Sequence, residues 1–530
     1  MKTSHLLVAL AAVNALLYAG LLPLWEGFDE PFHFGNVERY ALGGGLPRPD
    51  GPGLSREVAQ SIVLVPASAP VKANLPRATT YSDFFAGPPE RRAQLREALR
   101  RIPPEYRRQT SDIGDYEAYQ APLAYLLLAV PDRLMGDTPL PTRVLVLRIL
   151  AGLAGSMLLC GGALAVCREI GLGQPHSSAA LFCVLATQMT WATLAHVAND
   201  WLAAPLAVWT LAWLLRAAAK PDARRIAAAS LVLSAGLLTK AYFLAVAPVV
   251  VAVCALRRGW RGLALCAGVV AVCGGPWYAR NLRVYGDLTG MPQSMAGVGF
   301  MAVFRAAPGV PWGKAILDSA RMALWTGNNT GRTFSLVTLD AVIAAAAAAL
   351  LLWALSRHSR AEWIAAAYCA AFFLAVQYAG VQTLAASRGA ATAPSPWYAQ
   401  TLVAPLLALA MLGAARHRRM GLAAEALLLT LFGYVFVATY AFKLIPLYGG
   451  YEGRGSAGQL VELYGRRFPQ LAANLGAVTL APAALVFALT GIAIAVAAAL
   501  EVRLLRDLAA WARTPRHSEP ESNHEQTGSP

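Results

Sequence analysis

The chain has 530 residues, 57% of them hydrophobic and only 14% charged, with a net charge of +15 and a mean hydropathy of +0.46. A soluble globular protein carries about 25% charged residues, so the composition excludes an ordinary soluble domain and predicts an all-α polytopic membrane protein. The positive charge fits arginine-rich loops beside a membrane; no basic stretch is interleaved with aromatics as a nucleic-acid surface would be, so no nucleic-acid partner is expected.

In chain order, about twelve apolar segments approach the roughly 20 residues that cross a bilayer: 4–25, 143–166, 176–196, 200–217, 225–240, 242–257, 262–279, 336–356, 362–384, 398–415, 421–441 and 476–500. The first follows Lys2 and has no small-x-small cleavage site before Trp25, so it reads as an uncleaved span rather than a signal peptide. Alternate connections carry the arginines: Arg168; Arg216, Arg224 and Arg225 with Lys220; Arg257, Arg258 and Arg261; Arg357 and Arg360; Arg416, Arg418 and Arg419; Arg503 and Arg506. The positive-inside rule makes this set cytoplasmic, with both termini inside. The alanine- and arginine-rich composition has a bacterial character, so the expected location is the inner (plasma) membrane. The other face then collects three long loops, 26–142, 280–335 and 442–475. Segment 122–134 is short for a span and reads as an interfacial or re-entrant helix; if it crossed, the parity would fail. From about Thr514 the chain is polar and reads as a disordered tail. The seven cysteines lie in apolar runs without metal-ligand spacing and read as small buried hydrophobes, with no disulfides.

Where the first span ends, Trp25-Glu26-Gly27-Phe28-Asp29-Glu30-Pro31-Phe32-His33-Phe34 puts carboxylates and an imidazole at a membrane boundary. Ionisable groups are costly there and usually signal function. Pro31 suits the first turn of a helix, Asp29 or Glu30 suits its cap, and Gly43-Gly44-Gly45 would end it. The stretch reads either as a capped helix in a surface loop or as the seat of a carboxylate base held ionised by the helix dipole. Asn199, Asp200, Lys240, Arg280, Asn281, Tyr285 and Arg332 fall toward the same face. Singly, each cation could reach headgroups and Asp200 could cap a helix. Together they describe a charged cavity suited to a lipid-linked anion, with Lys and Arg on the phosphate and a carboxylate taking the proton of an attacking hydroxyl. Aromatics on that face, among them Trp277, Trp325, Trp397 and Tyr398, read as sugar platforms or as an interfacial belt.

Several of these elements resemble a family. Asp29-Glu30-Pro31-Phe32-His33-Phe34 resembles the "DEPxHF" first-loop signature of the C-type (GT-C fold) membrane glycosyltransferases, and of the polyprenyl-phosphate-mannose-protein mannosyltransferase-like group (glycosyltransferase family 39-like) in particular. Tyr119-Gln120-Ala121-Pro122-Leu123-Ala124-Tyr125 resembles its "QPPLYY" segment with Ala121 for the first proline. Val197-Ala198-Asn199-Asp200, Leu237-Leu238-Thr239-Lys240, and Pro276-Trp277-Tyr278-Ala279-Arg280-Asn281 with Tyr285-Gly286-Asp287 are similar to its "xNDal", "LTK" and "WWxRNxxxYGD" elements. They occur in family order over residues 1–290, which the resemblance implies is a catalytic module including loop 26–142; 291–510 forms a C-terminal transmembrane region and 514–530 a cytoplasmic tail. Pro396-Trp397-Tyr398-Ala399-Gln400-Thr401-Leu402 departs from the family's "RYLLP"-like segment in lacking the arginine.

The resemblance implies an inverting transferase with an extracytoplasmic site, a polyprenyl-phosphate sugar donor, and a glycan, lipid or protein acceptor at the membrane. Asp29 would be the base, Glu30 the alternative; Lys240, Arg280, Asn281, Tyr285 and Arg332 would hold the donor, with His33, Asn199, Asp200 and Gln120 in support. A divalent cation, Mg or Mn, on Asp29, Glu30 and Asp200 stays open. Two other readings remain: a transporter or flippase of lipid-linked saccharides, and an inactive scaffold of the same fold.

Overall fold

The computed structural model describes residues 2–48, 51–68, 71–72, 75–295, 297–324, 334–388, 396–451 and 456–514. Arg332, Trp325 and the tail beyond Thr514 lie outside the described residues, as does the side chain of Trp397.

The chain is a polytopic, all-α membrane protein. Among the described residues, eight helices are long and apolar enough to cross a bilayer, or nine if the pair His176–Ala186 and Gln188–Leu194, bent by 68°, is one broken span. The twelve segments expected from the sequence are all helical, and three causes account for the smaller number. One is the bent pair. Another is length: Ala223–Leu237 has 15 residues and Gln400–Arg416 has 17. The third is Ala247–Cys273, a run broken at Gly259 (φ 62°, ψ −153°). There the chain folds back on itself. Cys254 and Cys266 share a side-chain hydrogen bond, whereas 12 residues of continuous helix would separate them by about 18 Å. A Cβ on Gly262 would lie 2.3 Å from the Cys254 carbonyl oxygen. This stretch is therefore a tight helical hairpin with Arg257, Arg258 and Arg261 around its tip.

The basic connections gather at one end of the bundle. Arg216 pairs with Glu169 at 2.9 Å, Arg257 Nε donates to the Ala218 carbonyl at 2.7 Å, Arg416 pairs with Glu362 at 2.8 Å, and Arg503 Nε donates to Thr3 Oγ1 at 2.8 Å. Each of these contacts joins the basic end of one helix to the end of another, as alternating spans require.

At the other end, the stretch after α1 (Thr3–Leu21) builds a helical layer with a hydrophobic core of its own, centred on Trp25, Phe34, Val37, Val58 and Tyr125. It contains α2 (Glu30–Ala41), α3 (Arg56–Leu64), a two-residue parallel pairing of Pro66–Ala67 with Thr79–Thr80, α4 (Tyr81–Ala86), α5 (Pro89–Arg100) and α6 (Leu123–Met135). Helix α2 ends as its glycines predict: Gly43 adopts φ 78° and Gly44 N–H donates to the Arg39 carbonyl at 2.8 Å. Helix α6 has 13 residues with Pro131 inside it, about 20 Å at 1.5 Å per residue, too short for a core about 30 Å thick. The layer is clamped to α7 (Leu140–Glu169) by buried charge. Arg143 binds Glu38 at 3.3 Å, Asp132 at 3.0 Å and Glu57, and Arg107 also pairs with Asp132.

Candidate active site at the loop end of the bundle

Asp29 sits in the turn between α1 and α2 with φ 53° and ψ 21°, a left-handed conformation rare for a side-chain-bearing residue. Trp25, in the same turn, has φ 66°. Such backbone costs of order 1–3 kcal/mol and concentrates at functional sites, though aspartate tolerates it better than most. The expected cap is not made: Asp29 precedes the first helical residue, but its side chain accepts nothing from the helix amides. Its carboxylate instead accepts from the Tyr116 hydroxyl. The left-handed turn points the carboxylate away from the helix start and toward segment 115–120.

That segment supplies a second acid. Glu117 is 5% exposed, and its Oε2 accepts from Gln120 Nε2 at 2.7 Å. Burial first, then the neighbouring Asp29 charge, pushes the Glu117 carboxyl up to about 8, against the opposing pull of Gln120 and Lys240. The network continues inward. Gln120 Oε1 accepts from Asn199 Nδ2 at 2.8 Å, which also reaches the Thr239 carbonyl at 3.1 Å. Next in sequence to these, Asp200 and Lys240 form a buried ion pair. The Lys240 ammonium lies over the rings of Tyr398 (5.2 Å) and Tyr242 (5.8 Å), within cation–π range. Asp29, Gln120, Asn199, Asp200 and Lys240 thus come from four distant stretches to one region, where both the Asp29 and the Lys240 charges act on Glu117. His33 joins from below: Nδ1 meets the Tyr125 hydroxyl at 2.7 Å, and burial, then Lys240, hold the imidazole well below its usual pKa, hence neutral.

Lys240 and Gln120 line a cavity of about 620 Å³ whose other walls are mainly apolar, including Trp277, Phe300, Phe372 and Val376. A charged group in the wall of a mainly apolar chamber suits an amphiphile with a charged head.

Other predicted residues have different places. Glu30 is fully buried and committed to Arg148, whose Nε donates to Oε1 at 2.7 Å and whose other nitrogens reach Oε2, the Leu22 carbonyl and, at 3.0 Å, the Pro23 carbonyl. Val197 N–H takes the remaining direction at 3.0 Å. A carboxylate so saturated is an anchor between α1, α2, α7 and the turn before Asp200, and is not free to accept a proton. Arg280 does not line the cavity; its guanidinium binds the Pro47 carbonyl and Asn281 Oδ1 (3.1 Å) and stacks on Trp277 (4.7 Å) and Tyr285 (5.5 Å). Asn281 closes the following turn on the Leu288 and Thr289 carbonyls, and Tyr285 donates to the Ala118 carbonyl at 3.3 Å. Asp287 gathers the amides of Thr289 and Gly290, both at 2.8 Å. The stretch from Arg280 to Asp287 is thus mostly a turn that braces segment 115–120.

The open question of a divalent cation on Asp29, Glu30 and Asp200 is answered by the same geometry. Glu30 is filled by Arg148 and Asp200 by Lys240, and among the described residues no group of three His, Cys, Asp or Glu is placed to hold a metal ion. These residues do not fit the ion.

Sequence reasoning missed Glu117, Arg148 and Arg143. The last two had a signal: charges inside the apolar segment 143–166 fall under the same rule that marked Lys240. Glu117 lies three residues before Gln120, and nothing in its spacing set it apart from a surface carboxylate.

No protein-family model matches the chain, and no curated protein matches its sequence. Among solved structures it is similar to the crystal structure of ArnT from Cupriavidus metallidurans in the apo state, with 16% identity, 88% of this chain and 74% of that chain covered, and a TM-score of 0.40. A superposition that loose supports no statement about chemistry.

Proposed function

We propose that this chain is an inverting GT-C-type membrane glycosyltransferase, moving a sugar from a polyprenyl-phosphate donor to a hydroxyl of a cell-envelope acceptor on the extracytoplasmic face. The observation that carries the reading is Lys240 in the wall of a mainly apolar cavity of about 620 Å³, with its charge and that of Asp29 both acting on Glu117. The lipid tail fills the cavity, and its phosphate meets the Lys240 ammonium, which is ion-paired with Asp200. The acceptor oxygen attacks the anomeric carbon from the side opposite the phosphate. Asp29 takes the hydroxyl proton while the bond from that carbon to the phosphate oxygen breaks. The electron pair leaves with the phosphate, whose charge Lys240 offsets. Tyr119, Trp277 and Tyr398 line the cavity beside the lysine, where a sugar face would stack.

The test uses purified protein in lipid nanodiscs and a radiolabelled polyprenyl-phosphate sugar with crude envelope acceptor. Asp29→Asn should lower kcat at least about a hundredfold, the usual scale of general-base loss, with donor KM nearly unchanged. Lys240→Met should raise donor KM. Equal turnover by Asp29→Asn and wild type would remove Asp29 as the base. Labelled lipid that changes leaflet without being consumed would replace transfer by transport.

A further inference from the structure

A second cavity, of about 210 Å³, opens where α5 meets the loop ends of three spans: Pro23–Leu24 after α1, Pro139–Thr142 at the start of α7, and Ala477–Leu480 before the helix Ala483–Arg513. Its walls are prolines and aliphatic side chains with Phe84, and none of its lining residues is acidic. Two arginines face it, Arg96 and Arg100. They are one helical turn apart on α5, so their charges oppose each other. Among the described residues neither has an ion-pair or hydrogen-bond partner. Other arginines close by do find carboxylates: Arg101 pairs with Glu97 on the same helix, and Arg107 with Asp132. Arg96 is half-buried, and burial, then Arg100, depresses its pKa. A partly desolvated guanidinium beside a second one, without a carboxylate, needs a counter-charge.

We propose that this cavity binds the phosphate headgroup of an anionic membrane lipid. Paired guanidinium groups are the usual phosphate receptor. The cavity lies at the loop ends of three apolar helices long enough to cross a bilayer, and its apolar walls suit the first part of an acyl chain or glycerol backbone. Free phosphate would gain nothing from those walls. The site is separate from the Lys240 cavity, with which it shares no lining residue, and it does not depend on the sugar-transfer reading.

The full chain in neutral detergent is titrated with dioleoyl phosphatidic acid, and bound lipid is read by native mass spectrometry, with inorganic phosphate as competitor. Arg96→Gln/Arg100→Gln should weaken the tightest lipid site about tenfold. Thr142→Trp, which fills the cavity from an exposed position without changing charge, should do the same. Arg91→Gln/Arg133→Gln removes two exposed charges outside the cavity and should leave that site unchanged. Equal weakening by the Arg91/Arg133 pair would reduce the effect to bulk charge and overturn the proposal. So would unchanged binding by both cavity variants, or displacement of the lipid by inorganic phosphate at equal concentration.

Discussion

Glu117 and Asp29 are two carboxyls in one small space, and after burial it is the Asp29 charge that most raises the Glu117 carboxyl. With its carboxyl raised from the usual 4.5 to about 8, Glu117 holds a proton at neutral pH. Between about pH 4.5 and 8 the folded state binds a proton that the unfolded chain does not, so this group makes stability fall as pH rises through that window. Above it, a second negative charge stands beside the place assigned to the donor phosphate. Donor KM should therefore rise above about pH 8 in the wild type and stay flat in Glu117→Gln. Parallel profiles for the two proteins, in a transfer assay from pH 6 to 9.5, would separate Glu117 from donor binding. The candidate base was legible because Asp29 follows an apolar run and opens a Pro-containing helix. Its partner was not, since only folding brings residue 117 against residue 29.

At the scale of elements, the Glu30–Arg148 pair ties the end of α1 to α2 and α7. Breaking a buried pair from one side costs about 3–5 kcal/mol because the other charge is left without a partner, whereas replacing both by apolar residues is often near neutral. Glu30→Met and Arg148→Met should each lower the thermal midpoint in detergent markedly, and the double variant should be more stable than either single one. A double variant as unstable as the sum would make the two effects independent. The hairpin at Gly259 offers a second test. With the other five cysteines changed to alanine, a short bifunctional maleimide should cross-link Cys254 to Cys266. Unlinked, doubly mono-labelled protein would point to a continuous helix. The sequence marked this turn through Arg257, Arg258 and Arg261 between apolar runs. It did not mark the 68° bend between Ala186 and Gln188, because no proline or glycine stands at that join.

At the scale of the whole molecule, the basic connections form one end of the bundle and the Asp29 network the other, as alternating spans demand. With the basic end cytoplasmic, a cysteine placed at Gly114, in the loop layer, on a cysteine-free background should react with a membrane-impermeant maleimide in intact cells. A cysteine at His5 should react only after lysis, and the reverse pattern would invert the orientation. What the sequence determined by itself was the class of molecule and the level of each segment. Hydropathy is additive along a chain, and a charge at the end of an apolar run can rest only near the membrane surface. What tertiary structure decided was the partner of each charge. Glu30 and Asp29 are adjacent in sequence, yet Arg148 claims one and Tyr116 the other. Lys240 faces a cavity while Arg280 is spent on a loop carbonyl and two rings. Those outcomes depend on which helices pack together and on where a left-handed turn aims a side chain, and neither is a property of local composition.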